Sequence, residues 1–198
     1  FSGVKHEQFS YSPDVLRQLV ADGLRLATEQ GASGAEVDVS EGYGLNVTVR
    51  KGEVETIEHN RDKGFGATVY FGQRRGHARS SDLSPQALRD TMSKACSIAR
   101  HTAEDPYAGL PDEALLLRGE GADLDLYHPW PIDVDAAVEL AQRSESAALA
   151  VDKRITNSDG ASVSSQGSHF IYGNSLGFTG GYYTSRHGIT CSVIAEEG

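Results

Sequence analysis

The chain has 198 residues, with 18 Lys+Arg against 28 Asp+Glu and a formal net charge of −10. That balance excludes the basic footprint that phosphate contacts with nucleic acid need, and no apolar run approaches the roughly 20 residues of a membrane span. With 38% hydrophobic and 23% charged residues, the chain can build a core and is not compositionally disordered. Cys96 and Cys191 make no disulfide framework, which points to a reducing cytoplasm. The sequence opens Phe1-Ser2-Gly3 without a Met or a basic-then-apolar segment. It therefore reads as a processed, tagged or excised chain with no visible signal peptide.

Three helices are legible. Ser12-Pro13 supplies an N-cap and a proline at the first helical position. Val15, Leu16, Leu19, Val20, Leu24 and Ala27 then recur at helical spacing, and Gly31 ends the run. Ser84-Pro85 repeats the start signal ahead of Leu88, Met92, Ala95, Cys96 and Ala99. The third helix starts near Asp133, with Val134, Ala137, Val138, Ala141, Ala148 and Leu149 on its face.

Between the first two helices the period is two. Val37 and Val39 alternate with polar residues, then Leu45, Val47 and Val49 do the same. Lys51-Gly52 reads as a turn, Glu53 to Asn60 as a strand and Asp62-Lys63-Gly64 as a second turn. Phe65 to Phe71 is a strand, Gln73 to Gly76 a turn and His77 to Ser81 a returning strand. After the third helix, Ile155 to Ser158, Val163 to Tyr172, Phe178 to Tyr183 and Gly188 to Ala195 read as extended. Turns are expected at Asp159-Gly160 and Asn174 to Gly177. The fold expectation is α+β, with antiparallel meanders packed with helices and a helix-then-meander order occurring twice. Thr102 to Pro131 is acidic and carries four prolines but no sustained period. It sets expected domains at 1–125 and 126–198, the second truncated because the chain stops just past a strand.

Candidate chemistry is sparse. His6-Glu7 opens like a zinc-protease motif, but Ser10 and Tyr11 stand where a second His would reach the same ion. His187 and Cys191 lie on a strand pattern, about 13 Å apart, too far to share a metal. Ser162 to Ser168 with His169 raises a Ser–His hydrolase, although no Gly-x-Ser-x-Gly elbow is present and a triad is spatial rather than sequential. Cys96 on its apolar stripe reads as a small buried hydrophobe. Gly42-Tyr43-Gly44 and Gly64-Phe65-Gly66 do not join a strand to a helix, so they are not dinucleotide loops. No catalytic, cofactor-binding or metal residue is assigned.

Seven of the 18 basic residues fall in 50–79. If three turns separate the strands there, alternate connections share one end of the sheet. Arg50 and Lys51 would then lie beside Arg74 and Arg75, as a rim for an acidic partner or a peptide carboxylate. The competing reading is solvated turn residues that protect an edge.

The strings Gly34-Ala-Glu-Val-Asp-Val-Ser40, Lys51-Gly-Glu-Val-Glu55, Gly66-Ala-Thr-Val-Tyr70 and Ser81-Asp-Leu-Ser-Pro-Gln-Ala87 resemble the amino-terminal half of the PmbA/TldD family, in its PmbA (TldE) branch. Asp123-Leu-Asp-Leu-Tyr-His-Pro129, Asp152-Lys-Arg-Ile-Thr-Asn157, Gly173-Asn174, Ser185-Arg-His187 and Val193-Ile-Ala-Glu-Glu197 extend the resemblance to the end.

The resemblance implies a cytoplasmic bacterial metallopeptidase system. In it a TldD-like subunit, or a second copy as a homodimer, pairs with this one to act on extended or unfolded peptides. Peptide-antibiotic maturation, as of microcin B17, and antitoxin turnover are implied activities. A label as modulator of DNA gyrase suggests a regulatory protein-binding module instead. The TldD metal motif, His-Glu-x-x-x-His, fails here because Tyr11 follows His6-Glu7 at the needed position. No cofactor is expected in this fragment, and a divalent metal would belong to a TldD-type partner.

Overall fold

In a computed structural model of the chain, the structure describes residues 8–197. The first helix, α1 (Pro13–Glu29), starts where the sequence says. Ser12 is extended, and its hydroxyl accepts from the Val15 N–H. The chain then forms β1 (Gly34–Arg50), β2 (Glu53–Phe71) and β3 (Arg74–Ser80), followed by α2 (Pro85–His101) with Ser84 as its cap. A single 3-10 turn at Glu113–Leu115 interrupts an otherwise irregular and mostly exposed stretch to residue 132. Asp133 caps α3 (Val134–Leu149), and β4 (Ile155–Asn174) and β5 (Thr179–Ala195) complete the chain.

The architecture is the expected α+β, with a helix before each run of strands. The strands form one five-stranded antiparallel sheet in the order β3-β2-β1-β4-β5. Two expected turns are absent, and both errors come from glycine. Residues 62–64 lie inside β2 rather than at its end. Gly64 is buried, and a Cβ there would lie 3.3 Å from the Arg79 guanidinium; Gly66 is packed still more tightly, against Asp38. These glycines answer close packing, not chain reversal. Asp159-Gly160 lies inside β4. There the buried residues change from even (Ser158, Gly160) to odd (Ala161, Val163) positions, and Gly160 has φ +106°. One residue is inserted on one face, which is a bulge. The two extended pieces expected after Gly177 are likewise one strand, β5.

The chain divides into two compact units. Unit 1 takes in the chain up to Glu41, with Asp62–Asp125 and His169–Tyr183; unit 2 takes in Gly42–Arg61, Leu126–Ser168 and Thr184 onward. Unit 1 packs α1 and α2 over Val37, Val39, Phe65, Ala67, Val69 and Ile171, with Leu16, Val20, Leu88 and Met92 from the helices. Gly76 on β3 lies directly under Ala95 and Ala99 of α2, leaving no room for a Cβ. Unit 2 has a smaller core: Val47, Val49, Ala161 and Val163 under Ala137 and Ala141 of α3, flanked by Trp130 and Ile132. Among the described residues, no helix is long and apolar enough to cross a membrane.

Candidate functional site

Two carboxylates are buried at positions where the local period calls for an apolar side chain. In unit 1, Glu41 continues the buried register of Ala35, Val37 and Val39 on β1. It accepts the backbone N–H groups of Ser10 at 2.5 Å and Tyr11 at 3.1 Å, and lies 3.1 Å from His169 Nε2. The His169 ring stacks on Tyr183 at 4.7 Å, with the Phe9 ring at 4.5 Å. Burial alone would raise the Glu41 carboxyl, but the bonds from Ser10, His169 and Tyr11 hold it below the usual carboxylate range. Burial depresses the His169 ring, and Glu41 offsets this only in part. The pair is therefore a neutral imidazole donating Nε2–H to a carboxylate, and it ties the segment before α1 to the sheet.

In unit 2, Glu145 follows Ala137 and Ala141 on the buried face of α3. It accepts the Ser158 hydroxyl at 2.5 Å and the backbone N–H groups of Lys51 and Gly52, both at 2.8 Å. Lys51 (φ 53°) and Gly52 (φ 78°) are both left-handed, so the β1–β2 turn has the primed geometry that fits strand twist. Its N–H groups form a small anion nest, and Glu145 fills it. Burial raises this carboxyl, but Ser158, Gly52, Lys51 and the nearby Arg50 charge bring it below its usual range.

The Ser–His contact suggested by the sequence forms elsewhere. His169 faces Glu41, whereas Ser165 Oγ lies 3.0 Å from Nδ1 of His187. His187 Nε2 is 2.7 Å from the His128 carbonyl oxygen and donates to it. Trp130 meets the ring edge-on. Ser165 is buried, and the contact fastens residues 128–130 to the sheet of unit 2.

Of the four basic residues, Arg50 and Lys51 belong to unit 2 and Arg74 and Arg75 to unit 1. With no turn at 62–64, Arg50 precedes and Lys51 lies in the turn that enters β2, and Arg74 and Arg75 follow the turn that leaves it. Arg50 Nε donates to the Ser158 carbonyl oxygen at 3.0 Å, and Arg74 donates to Thr102 O at 2.7 Å. Cys96 is fully buried, as its stripe implies, and burial raises its thiol. Among the described residues, no three His, Cys, Asp or Glu side chains converge on a point that could hold a metal; His6 and Glu7 lie outside the described residues.

What the fold does offer is strand edge. β5 ends the sheet, and its outer half from Arg186 to Ala195 is mostly exposed, with one formal charge and with Ile189 and Ile194 open to solvent. A groove lined by Leu140, Arg143 and Ala147 of α3 opens beside Ile189. On the other side, β3 pairs with β2 only over Phe65–Phe71, leaving the first half of β2 beyond its reach, with residues 53–63 all exposed.

The chain matches the PmbA/TldA metallopeptidase domain 1 over residues 35–99 and the central domain of the same family over 127–198. It is 47% identical over 183 residues to Metalloprotease PmbA of Escherichia coli O157:H7, covering 92% of this chain and 40% of that protein. It is 45% identical to the PmbA homolog of Haemophilus influenzae, covering 90% and 39%. The chain thus spans about two fifths of the length of these relatives. Among solved structures, a candidate modulator of DNA gyrase from Bacteroides thetaiotaomicron superposes with a TM-score of 0.83 at 19% identity, over 93% of this chain and 42% of that one. TldE from Thermococcus kodakarensis superposes with a TM-score of 0.71 at 15% identity, over 91% and 40%. At these identities the superpositions speak for the fold.

Proposed function

Since the chain belongs to the PmbA/TldD metallopeptidase family, we propose that it is the amino-terminal part of a PmbA-type subunit that presents extended peptides in a cytoplasmic peptidase assembly. Its mate in that assembly is a TldD-like subunit, or a second copy. The observation that carries this reading is the 47% identity to PmbA along 92% of the chain. The physical support is the outer edge of β5. An edge strand recognises an incoming segment through backbone N–H and C=O groups, which every peptide has, so the recognition tolerates many sequences. The near-neutral edge suits that role, and the groove beside Ile189 would take one apolar side chain of the peptide. In this reading cleavage takes place on the TldD-like partner.

The test is reconstitution with a TldD-type subunit and an unfolded peptide. Co-purification, and cleavage that needs both proteins, is the expected result. Ile189→Glu should raise the peptide KM while leaving co-purification intact. Cleavage by this chain alone, or cleavage by the TldD-type subunit that is indifferent to this chain, would sink the reading.

A further inference from the structure

The edge of β5 is not open along its whole length. Leu126, Tyr127 and His128, on the way into α3, lie against it at Ser185 and His187. The Ser185 N–H donates to the Leu126 carbonyl oxygen at 2.9 Å. The Ser185 hydroxyl accepts the His128 N–H at 2.7 Å and reaches the Leu126 carbonyl oxygen at 3.4 Å. His187 Nε2 donates to the His128 carbonyl oxygen at 2.7 Å, and the Tyr127 hydroxyl meets that of Tyr43 at 2.9 Å. All of these residues belong to unit 2. A carbonyl set against an outward N–H is what an added strand presents to an edge, so this segment already does in miniature what a bound peptide would do.

The alternation of the strand extends the count. Because the Ser185 N–H points away from β4, so do the backbone groups of His187, Ile189, Cys191 and Val193. The opposite parity agrees, since the Glu196 N–H donates to the Arg154 carbonyl oxygen at 2.9 Å on the β4 side. An incoming strand can use Ile189, Cys191 and Val193, but at Ser185 it meets a tethered competitor. That competitor is built to let go. Backbone meets backbone at Leu126, whereas both backbone groups of His128 are taken by side chains, so no ladder continues along the segment. Residues 117–126 are all exposed, as is His128. Asp125, just before the segment, has a left-handed φ of 49°, which a non-glycine residue adopts at a cost. Segments with few buried apolar contacts open locally at low free energy. This one can open as far as Trp130, which packs against the unit 2 core, and leave that core intact.

We propose that residues 126–128 are a latch on the β5 edge: closed, it confines a bound peptide to Ile189–Val193, and opened, it lets a longer peptide run back to Ser185. This rests on the peptide-presenting reading above and adds its regulation. A tethered segment competes at high effective concentration, so the longer register is bound with an affinity reduced by the fraction of chains that stand open. Ser185→Ala deletes the hydroxyl that takes the His128 N–H, and Ser185→Thr keeps it. Hydrogen exchange read residue by residue by NMR should find the Ser185 amide protected in the native chain and in Ser185→Thr. In Ser185→Ala it should exchange about tenfold faster, with the Val163 amide of the unit 2 core unchanged in all three. Fluorescence anisotropy should use labelled unfolded peptides of about five and about nine residues, which match the closed and open edge at about 3.3 Å per residue. Ser185→Ala should bind the longer one about fivefold or more tightly, and all three chains should bind the shorter one alike. A Ser185 amide that exchanges in the native chain as fast as that of Ile189, or a longer peptide indifferent to Ser185→Ala, would overturn the proposal. Peptides that bind none of the three chains would sink the peptide reading instead, and the exchange rates would still decide whether the latch exists.

Discussion

The two units solve the same problem, a helix on a sheet, with different materials. Unit 1 fills its interior with Phe65, Met92, Leu16 and valines, all almost fully excluded from solvent. Unit 2 has a core of alanines and valines, with a fully buried carboxylate holding the turn that feeds β2. Apolar packing is non-directional and scales with buried area. A buried carboxylate contributes only when every lone pair finds a donor, and removing it leaves those donors unsatisfied. Unit 1, although it too holds a buried carboxylate in Glu41, should therefore be the more sensitive to volume, and unit 2 the more sensitive to the loss of one oxygen.

The largest expected effect is in unit 1. Phe65→Ala should cost about 3–5 kcal/mol through lost transfer energy and a residual cavity, measured by urea unfolding followed by far-ultraviolet circular dichroism. Next is Glu145→Ala, which strands the N–H groups of Lys51 and Gly52 and the Ser158 hydroxyl. It should cost about 2–4 kcal/mol, read through Trp130, the chain's one tryptophan and part of the unit 2 core. Glu145→Gln should recover part of that loss. If Glu145→Ala costs under about 1 kcal/mol, the contrast between the units dissolves.

The pH response should sharpen the contrast. The folded His169 ring lies below its unfolded value of about 6.5, so the folded state binds fewer protons and stability falls as pH drops below that value. Glu145 is depressed from about 4.3, so its contribution is complete above that value and is lost as pH falls through the lower folded one. Melting temperatures from pH 8 to pH 3 should show both windows, and His169→Gln should flatten the upper one and, through its bond to Glu41, also alter the lower one. The smallest effect is expected at the exposed Arg25–Glu29 pair on α1, 2.6 Å apart with both side chains more than half exposed. Arg25→Ala should cost about 0.5 kcal/mol or less.

The helices were legible because their starts carry chemistry that few other contexts demand: Ser12-Pro13, Ser84-Pro85 and Asp133. The Lys51-Gly52 turn was legible for the same reason. Gly64 and Gly160 were misread because a glycine between strands can mark a reversal, a bulge or a close approach, and only the neighbouring strand decides which. The grouping of Arg50, Lys51, Arg74 and Arg75 was argued from a turn at 62–64 that the strand does not make. Glu41 and Glu145 carried a readable signal: each interrupts an apolar period of two or of helical spacing, which is where a buried acid with dedicated partners is found. The Ser165–His187 contact had no such signal, because its partners are 22 residues apart on different strands.

Neither unit is a continuous stretch of chain, and that bears on how the protein is made. When the first 125 residues leave the ribosome, the larger core still waits for Ile171, which belongs to it, and the helix that covers Val47 and Val49 has not been synthesised. Both interiors close late and nearly together, over long loops whose entropy is lost first. Until then, half-built sheet stands open to whatever holds nascent polypeptide.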